Sequence, residues 1–270
     1  MSSDASLPGP YLACSTGSFY TRPVREAFER ISAAGFGSVE VMVTRDPGTQ
    51  DPRCLRALSD AHGLAIRAIH APFLLMTRKV WGTDPVHKIH RSIELAQQAG
   101  APLVVVHPPY RWQAGYRRWV DERLPGLAER AGVKVAVENM FPIRGPGSRG
   151  VTLHARQTLE DLGRFTHVVL DTSHAAVAGF DLVDAYGKLR DRLVHIHLSN
   201  NTGRGWDSHL PVDRGILDID GFLDHLAVEG FSGTITLELD LRRYLDDGNA
   251  LHRLLVGNRE FCNSRLSLPC

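Results

Sequence analysis

The stretch HVVLDTSHAAVAGFDLVDAYGKLRDRLVHIHL, His167–Leu198, contains two short β-branched runs with a helical segment between them. His167–Asp171 (HVVLD) and Leu193–Leu198 (LVHIHL) have the length and near-continuous apolarity of buried strands. Asp181–Arg192 reads as a helix. A strand, a helix and a second strand in this order imply a right-handed crossover between parallel neighbours.

The same alternation runs outward in both directions. Upstream, Tyr11–Phe19 reads as a first strand and Val24–Gly35 as a helix with Val24, Phe28 and Ile31 on one face. Ser38–Thr44 is a second strand, Asp51–Gly63 a helix, and Leu64–Ala71 a third strand stopped by Pro72. A helix over Pro85–Gly100 precedes strand four, Leu103–His107, which Pro108 and Pro109 close. A helix around Tyr116–Gly132 precedes strand five, Val133–Asn139, and the Gly/Pro-rich loop Arg144–Gly150 leads to a helix near Thr158–Phe165. Downstream come a helix over Ile219–Gly230, strand eight at Gly233–Asp240, and a closing helix over 249–266. Eight strand–helix units in 270 residues match a single-domain (β/α)8 TIM barrel of the α/β class, spanning 1–270 with residues 1–10 as a flexible lead-in. An open dinucleotide-binding sheet fits less well, because Ser15-Thr16-Gly17-Ser18 holds one glycine where a G-x-G-x-x-G turn belongs.

Composition narrows the function classes. Lys+Arg 31 against Asp+Glu 30 provides no global basic field, which argues against a nucleic-acid partner, a local patch aside. No apolar run reaches the roughly 20 residues of a membrane span, and Met1–Pro10 lacks a secretory pattern, so a cytoplasmic location is expected. The four cysteines (Cys14, Cys54, Cys262, Cys270) form no C-x-x-C pair and read as thiols of a reducing compartment.

Barrel active sites form where the strands end at their C-terminal face. Strand three ends in His70, four in His107, five in Glu138, six in Asp171, seven in His197 and eight in Glu238. His174 follows three residues after Asp171, and the loop after strand seven carries Asp207 and His209. A lone histidine at a strand end is most often a hydrogen-bonded core residue; six strands in succession are not explained that way. Nine such groups, four of them carboxylates, converge on one rim with no Lys or Arg at the strand ends. Unpaired, the carboxylates would cost several kcal/mol each, so a divalent cation is the natural counter-charge. Mixed His/Asp/Glu ligation suits Zn, Mn, Co or Fe better than Ca. Of the other histidines, His87, His90, His225 and His252 read as solvated helix residues and His195 as an inward residue one layer deeper, filling the barrel in preference to supporting a ligand from behind.

These residues resemble the xylose isomerase-like TIM barrels, a superfamily that includes endonuclease IV (family 2 AP endonucleases) and many sugar isomerases and epimerases. The resemblance rests on LDTSHAAVAGFDL (Leu170–Leu182), HLSNN (His197–Asn201), DSHL (Asp207–Leu210), HAPFLL (His70–Leu75), VVVHPP (Val104–Pro109) and VEN (Val137–Asn139). By resemblance to endonuclease IV, His70, His107 and Glu138 would hold one ion. Glu138, Asp171, His197 and Glu238 would hold a second, and His174, Asp207 and His209 a third. By resemblance to the isomerases, the Glu138–Asp171–His197–Glu238 quartet would hold a single ion, with Glu138 and Glu238 as acid and base. The chain departs from the nuclease pattern at Met140-Phe141-Pro142-Ile143, at Pro108-Pro109 and at Asp213-Arg214-Gly215, while AAGFGSVEVMV (Ala33–Val43) looks like the isomerase branch.

Two activities therefore stand. One is a metal-dependent isomerase or epimerase of a sugar or related polyol, with or without a phosphate, working through a metal-stabilised enediolate. The other is an endonuclease IV-like multi-zinc phosphodiester hydrolase. The cofactor in either case is one to three divalent ions of Zn, Mn, Co or Mg. For the first activity the partner is a small carbohydrate-type substrate, with His174, Trp81 and Arg214 as its expected contacts. For the second, Arg22, Arg25, Arg111, Arg117 and Arg118 with Trp112 and Tyr116 form a candidate loop patch.

Overall fold

Each strand of the barrel pairs with its neighbours in the chain, and the last pairs with the first. The strands are β1 (Tyr11–Ser15), β2 (Ser38–Met42), β3 (Ala65–His70), β4 (Leu103–Val106), β5 (Lys134–Glu138), β6 (Val168–Asp171), β7 (Leu193–Leu198) and β8 (Thr234–Leu237). All pairings are parallel, and Tyr11↔Thr234 through Cys14↔Leu237 close the sheet. The computed structural model describes residues 10–73, 77–143 and 150–266. Residues 1–9 of the expected lead-in at 1–10, residues 144–149 of the Gly/Pro-rich loop, residues 74–76 after β3 and residues 267–270 lie outside them.

The helices are α1 (Val24–Ala33), α2 (Pro52–His62), α3 (Pro85–Ala99), α4 (Ala114–Glu122), α5 (Leu124–Ala131), α6 (Leu159–Leu162), α7 (Thr172–Ala178), α8 (Leu182–Leu189), α9 (Ile219–Val228) and α10 (Gly248–Leu266). They cover the outward strand residues. Val39, Val41, Ile69, Val104, Val137, Leu170, Ile196 and Ile235 are buried with Phe28, Ile31, Leu55, Ile89, Leu189, Phe222 and Leu255 of the helices in one apolar cluster. Each such side chain contributes about 1.5–3 kcal/mol by leaving water. The inward residues form a second, smaller cluster of Ala68, Leu103, Val105, Ala136 and Val169. Strand periodicity then sends the residue two positions later to the same interior, one layer higher. Ala68 is followed by His70, Val105 by His107, Ala136 by Glu138 and Val169 by Asp171.

Several boundaries differ from the sequence expectation for local reasons. β1 stops at Ser15 because its side chain accepts the Gly17 N–H at 3.1 Å and starts a 3-10 turn over Thr16–Phe19. The helix expected over 116–132 is two helices, broken at Arg123 with Pro125 in the first turn of α5, where its missing N–H costs nothing. The helix expected over 158–165 shrinks to α6. A helix that the strand–helix alternation did not require, α7, is started by Asp171, whose side chain accepts the His174 N–H at 2.7 Å, and is ended by Gly179 at φ 81°.

One buried ammonium shapes the rim. Lys88 of α3 donates to the carbonyls of Pro72 (2.7 Å), Thr77 (3.2 Å) and Arg78 (2.9 Å), tying the loop after β3 to the helix that follows it. Burial, with help from the Arg78 charge, lowers its pKa. No helix among the described residues is long and apolar enough to cross a membrane.

Candidate metal centre

The carboxylate of Glu138 sits among four imidazoles at the end of β5. Its Oε2 lies 3.2 Å from His107 Nε2 and 3.4 Å from His70 Nε2; its Oε1 lies 3.1 Å from His197 Nδ1 and 3.4 Å from His174 Nδ1. His197 Nδ1 is also 3.1 Å from Glu238 Oε2 and 3.9 Å from Asp171 Oδ2. Beside this group, Asp207 Oδ2 lies 2.6 Å from His209 Nε2 and 3.3 Å from His174 Nε2. All nine residues expected as ligands are thus brought to one rim.

Hydrogen bonds outside the centre orient the rings. His70 Nδ1 bonds the Ala71 carbonyl at 3.0 Å, His174 Nδ1 bonds that of Asn139 at 2.8 Å, and His209 Nδ1 lies 3.1 Å from Ser199 Oγ. A ring whose Nδ1–H is committed to a carbonyl presents a bare Nε2, the form that binds a metal. Asn139 donates to the Asp171 carbonyl (3.0 Å) and accepts from its N–H (2.6 Å), locking β5 to β6 directly beneath the centre. Ser173 Oγ–H donates to Asp207 Oδ1 at 2.6 Å.

The donor set fits a divalent cation. Glu138 Oε2 and Asp171 Oδ2 are buried and have no hydrogen-bond donor among the described residues, a condition native structures avoid unless an ion or water completes them. Ions bound at about 2.1 Å in a tetrahedral shell hold neighbouring ligand atoms about 3.4 Å apart, the range of the Glu138–imidazole spacings. Ligand atoms of Glu138, Asp171, His197 and Glu238 all lie within 4.8 Å of one another, as do those of His70, Glu138 and His197 and those of Asp171, His174 and His209. Protonation follows the same crowding. Burial pushes Asp171 up to about 6. Burial opposes charge on Glu138 and on His197, but each outweighs it for the other: the carboxylate is held well below its usual range and the imidazole well above. Burial likewise opposes charge on His209, which the Asp207 carboxylate nevertheless lifts to about 10.

Three residues were not anticipated as site members. Glu40 is buried in the middle of β2, with Oε2 2.9 Å from His195 Nε2 and 3.0 Å from His197 Nε2. Its sequence signals are its inward position in SVEVMV and its place in AAGFGSVEVMV, the stretch that looks like the isomerase branch. His195, expected to fill the barrel, does so while contacting Glu40. His154, buried next to His107, has its pKa lowered to about 4 by burial and the His107 charge.

A cavity of about 320 Å3 opens over the centre, bounded by His70, His107, Glu138, His174, His209 and Glu238 below and by Tyr20, Met42, Met140, Phe141 and Leu239 at the sides. Phe141 packs 4.7 Å from the His174 ring. Two expected substrate contacts do not line it. Trp81 packs against the apolar cluster outside the barrel beneath Arg91, and Arg214 is 61% exposed beside Asp213 and Tyr244. The arginine at the cavity is Arg242, paired with Asp240 through two hydrogen bonds. In the arginine–aromatic patch, Arg22 pairs with Asp246, Tyr116 is buried, and Trp112 is exposed with its ring stacked on Tyr110.

Known proteins share this architecture. An uncharacterized protein of Mycobacterium tuberculosis is 35% identical over 277 aligned positions, covering 96% of this chain and 99% of that one. A probable endonuclease 4 of Shouchella clausii is 27% identical over 52% of this chain and 55% of its own. Among solved structures, a D-tagatose 3-epimerase-like protein superposes with a TM-score of 0.71 at 22% identity, covering 95% of this chain and 100% of that one. The AP endonuclease, family 2, of Brucella melitensis superposes at 0.67 with 18% identity over 88% and 99%. Likeness at these identities shows the fold alone. The family model described as xylose isomerase-like TIM barrel matches residues 28–255, and the chain belongs to that family.

Proposed function

We propose that the protein is a metal-dependent isomerase or epimerase of a small carbohydrate. One observation carries the reading: Glu138 and Glu238 both come within 3.1 Å of His197 Nδ1 at the floor of a cavity of about 320 Å3 whose walls are Met140, Phe141 and Leu239. That volume suits a single sugar, to which the walls offer apolar contact. A bound divalent ion would supply Lewis acidity toward adjacent substrate oxygens. Glu138, Asp171, His197 and Glu238 would hold it, and the chain's own groups do the rest.

Glu238 borders the cavity and is the group placed to take a proton from the substrate carbon. Glu138, held ionised by its imidazoles, takes or returns the proton on the other face. His174 Nε2 orients a substrate hydroxyl together with Asp207, whose carboxylate Ser173 holds in place. The D-tagatose 3-epimerase-like neighbour agrees with this class.

A second reading, a multi-metal phosphodiester hydrolase, is favoured by the His174–Asp207–His209 group and by the resemblance to the probable endonuclease 4. Three measurements separate them. Purified protein holding one ion per chain and exchanging solvent deuterium into a ketose supports the isomerase. Three zinc ions per chain, no exchange with any sugar of a broad ketose panel, and incision of an abasic duplex would replace it with the hydrolase.

A further inference from the structure

We propose that Glu40, backed by His195, is the positioning residue that fixes His197 with its Nδ1 turned toward the carboxylate quartet. This rests on the metal-dependent reading above. With a cation on one ring nitrogen, His197 would keep a single proton on the other, and the two sides of the ring compete for which nitrogen that is. On the Nε2 side stands Glu40 Oε2 at 3.0 Å; on the Nδ1 side stand Glu138 Oε1 and Glu238 Oε2 at 3.1 Å, with Asp171 Oδ2 at 3.9 Å. Three carboxylate oxygens around one nitrogen suit a shared cation, which needs the Nδ1 lone pair bare. The proton then resides on Nε2, where Glu40 accepts it.

Glu40 itself is built to stay in place. It is fully buried on the inward side of β2, opposite Ser15 of β1 and Ala68 of β3, and the β2–β3 register shifts at Val39/Glu40. Such an irregularity re-aims a side chain. Ser15 Oγ–H donates to Oε1 at 3.3 Å, and His195 Nε2 approaches Oε2 at 2.9 Å with its ring edge-on to His197. No Lys or Arg contacts this carboxylate among the described residues. A fully buried carboxylate held only by imidazoles and a hydroxyl is an expensive way to fill a barrel, since an apolar residue would serve packing better. Glu40 does not border the cavity and so does not meet substrate. Glu40, His195 and His197 do offer ligand atoms within 4.8 Å of one another, so the ion count per chain is what separates a positioning role from a second ion site.

The test is metal affinity, read without turnover. Full-length protein is stripped with chelator and titrated with Zn2+ or Mn2+ against a chromophoric competitor. Glu40→Gln is expected to weaken binding about 10–100-fold with the number of ions per chain unchanged, the range found when partners of metal-bound histidines are removed. His195→Phe, which keeps a ring and removes the nitrogen 2.9 Å from Glu40, is expected to weaken it several-fold, and it carries the test if Glu40→Gln does not fold. In a double-mutant cycle, Glu40→Gln should add little once His197→Gln is present. Wild-type affinity in both variants overturns the proposal while leaving the metal reading intact. Loss of one whole ion per chain in Glu40→Gln also overturns it, because Glu40, His195 and His197 would then be a separate ion site. Full additivity with His197→Gln reduces Glu40 to a structural role. A wild-type chain that takes up no ion overturns this proposal and the metal-dependent reading together.

Discussion

Glu138 shares its two oxygens among His70, His107, His174 and His197, so losing its charge reaches four imidazoles at once. Glu138→Gln keeps the shape and removes that charge. The expected outcome is a fall in kcat/KM of at least about 100-fold with a lower ion content per chain, checked by steady-state kinetics and elemental analysis. An unchanged ion content would show that Glu138 is not a ligand. This residue was legible from its strand-end position alone. Glu40 was legible only as part of AAGFGSVEVMV, a stretch resembling the isomerase branch; its contacts appear only when β7 brings His195 and His197 to it. Trp81 and Arg214 failed in the opposite way. Their chemistry suits a sugar, but loop geometry turns them outside the cavity, and Arg242 lies at it instead.

At the scale of the element, Asp171 has two tasks. Its Oδ1 caps α7 through the His174 N–H, while Oδ2 faces the centre without a donor. Asn caps about as well as Asp, whereas Ala does not cap. Asp171→Asn should therefore keep the metal-free stability within about 0.5 kcal/mol and lose metal affinity, while Asp171→Ala should cost a further ~1 kcal/mol of folding stability. Denaturant melts with and without chelator separate the two. Lys88 is the other element-scale device, one ammonium holding three carbonyls of the loop after β3. Lys88→Met removes the ammonium from all three carbonyls, of which Thr77's keeps the Val80 N–H, and should cost about 2–4 kcal/mol. Amide exchange should accelerate in residues 77–84 more than elsewhere; uniform exchange would deny the tie its local role. The strands were legible as β-branched runs, but α7 was not, because TSHAAVA is buried on several sides and carries no amphipathic stripe.

For the whole molecule, protons and a cation compete for the same rim. In the ion-free site His209 titrates at about 10 and Asp171 at about 6, both above their ordinary values. The His209 proton stabilises the ion-free fold in full below pH 6.5, and that contribution is lost as the pH rises toward about 10. The Asp171 proton stabilises in full below pH 3.8 and is lost as the pH passes about 6. A bound cation takes over from these protons, so the Tm difference between metal-loaded and chelated protein should widen from about pH 6 to about pH 9. Scanning calorimetry across that range checks it; a difference that shrinks would mean that protons do not compete for the ligands.

The alternation of strands with helices, the inward parity of the strands and the strand-end placement of His70, His107, Glu138, Asp171, His197 and Glu238 were set by local sequence, because a period of two and a short apolar run are properties of a few consecutive residues. Tertiary structure decided what lies across the barrel. Only when β1 closes on β8 do Glu40 of β2 and His197 of β7 meet, and only then do Met140, Phe141 and Leu239 close over the centre while Trp81 turns away. Contacts of that kind join residues far apart in the chain, and their geometry follows from strand register and loop path, which no local pattern records.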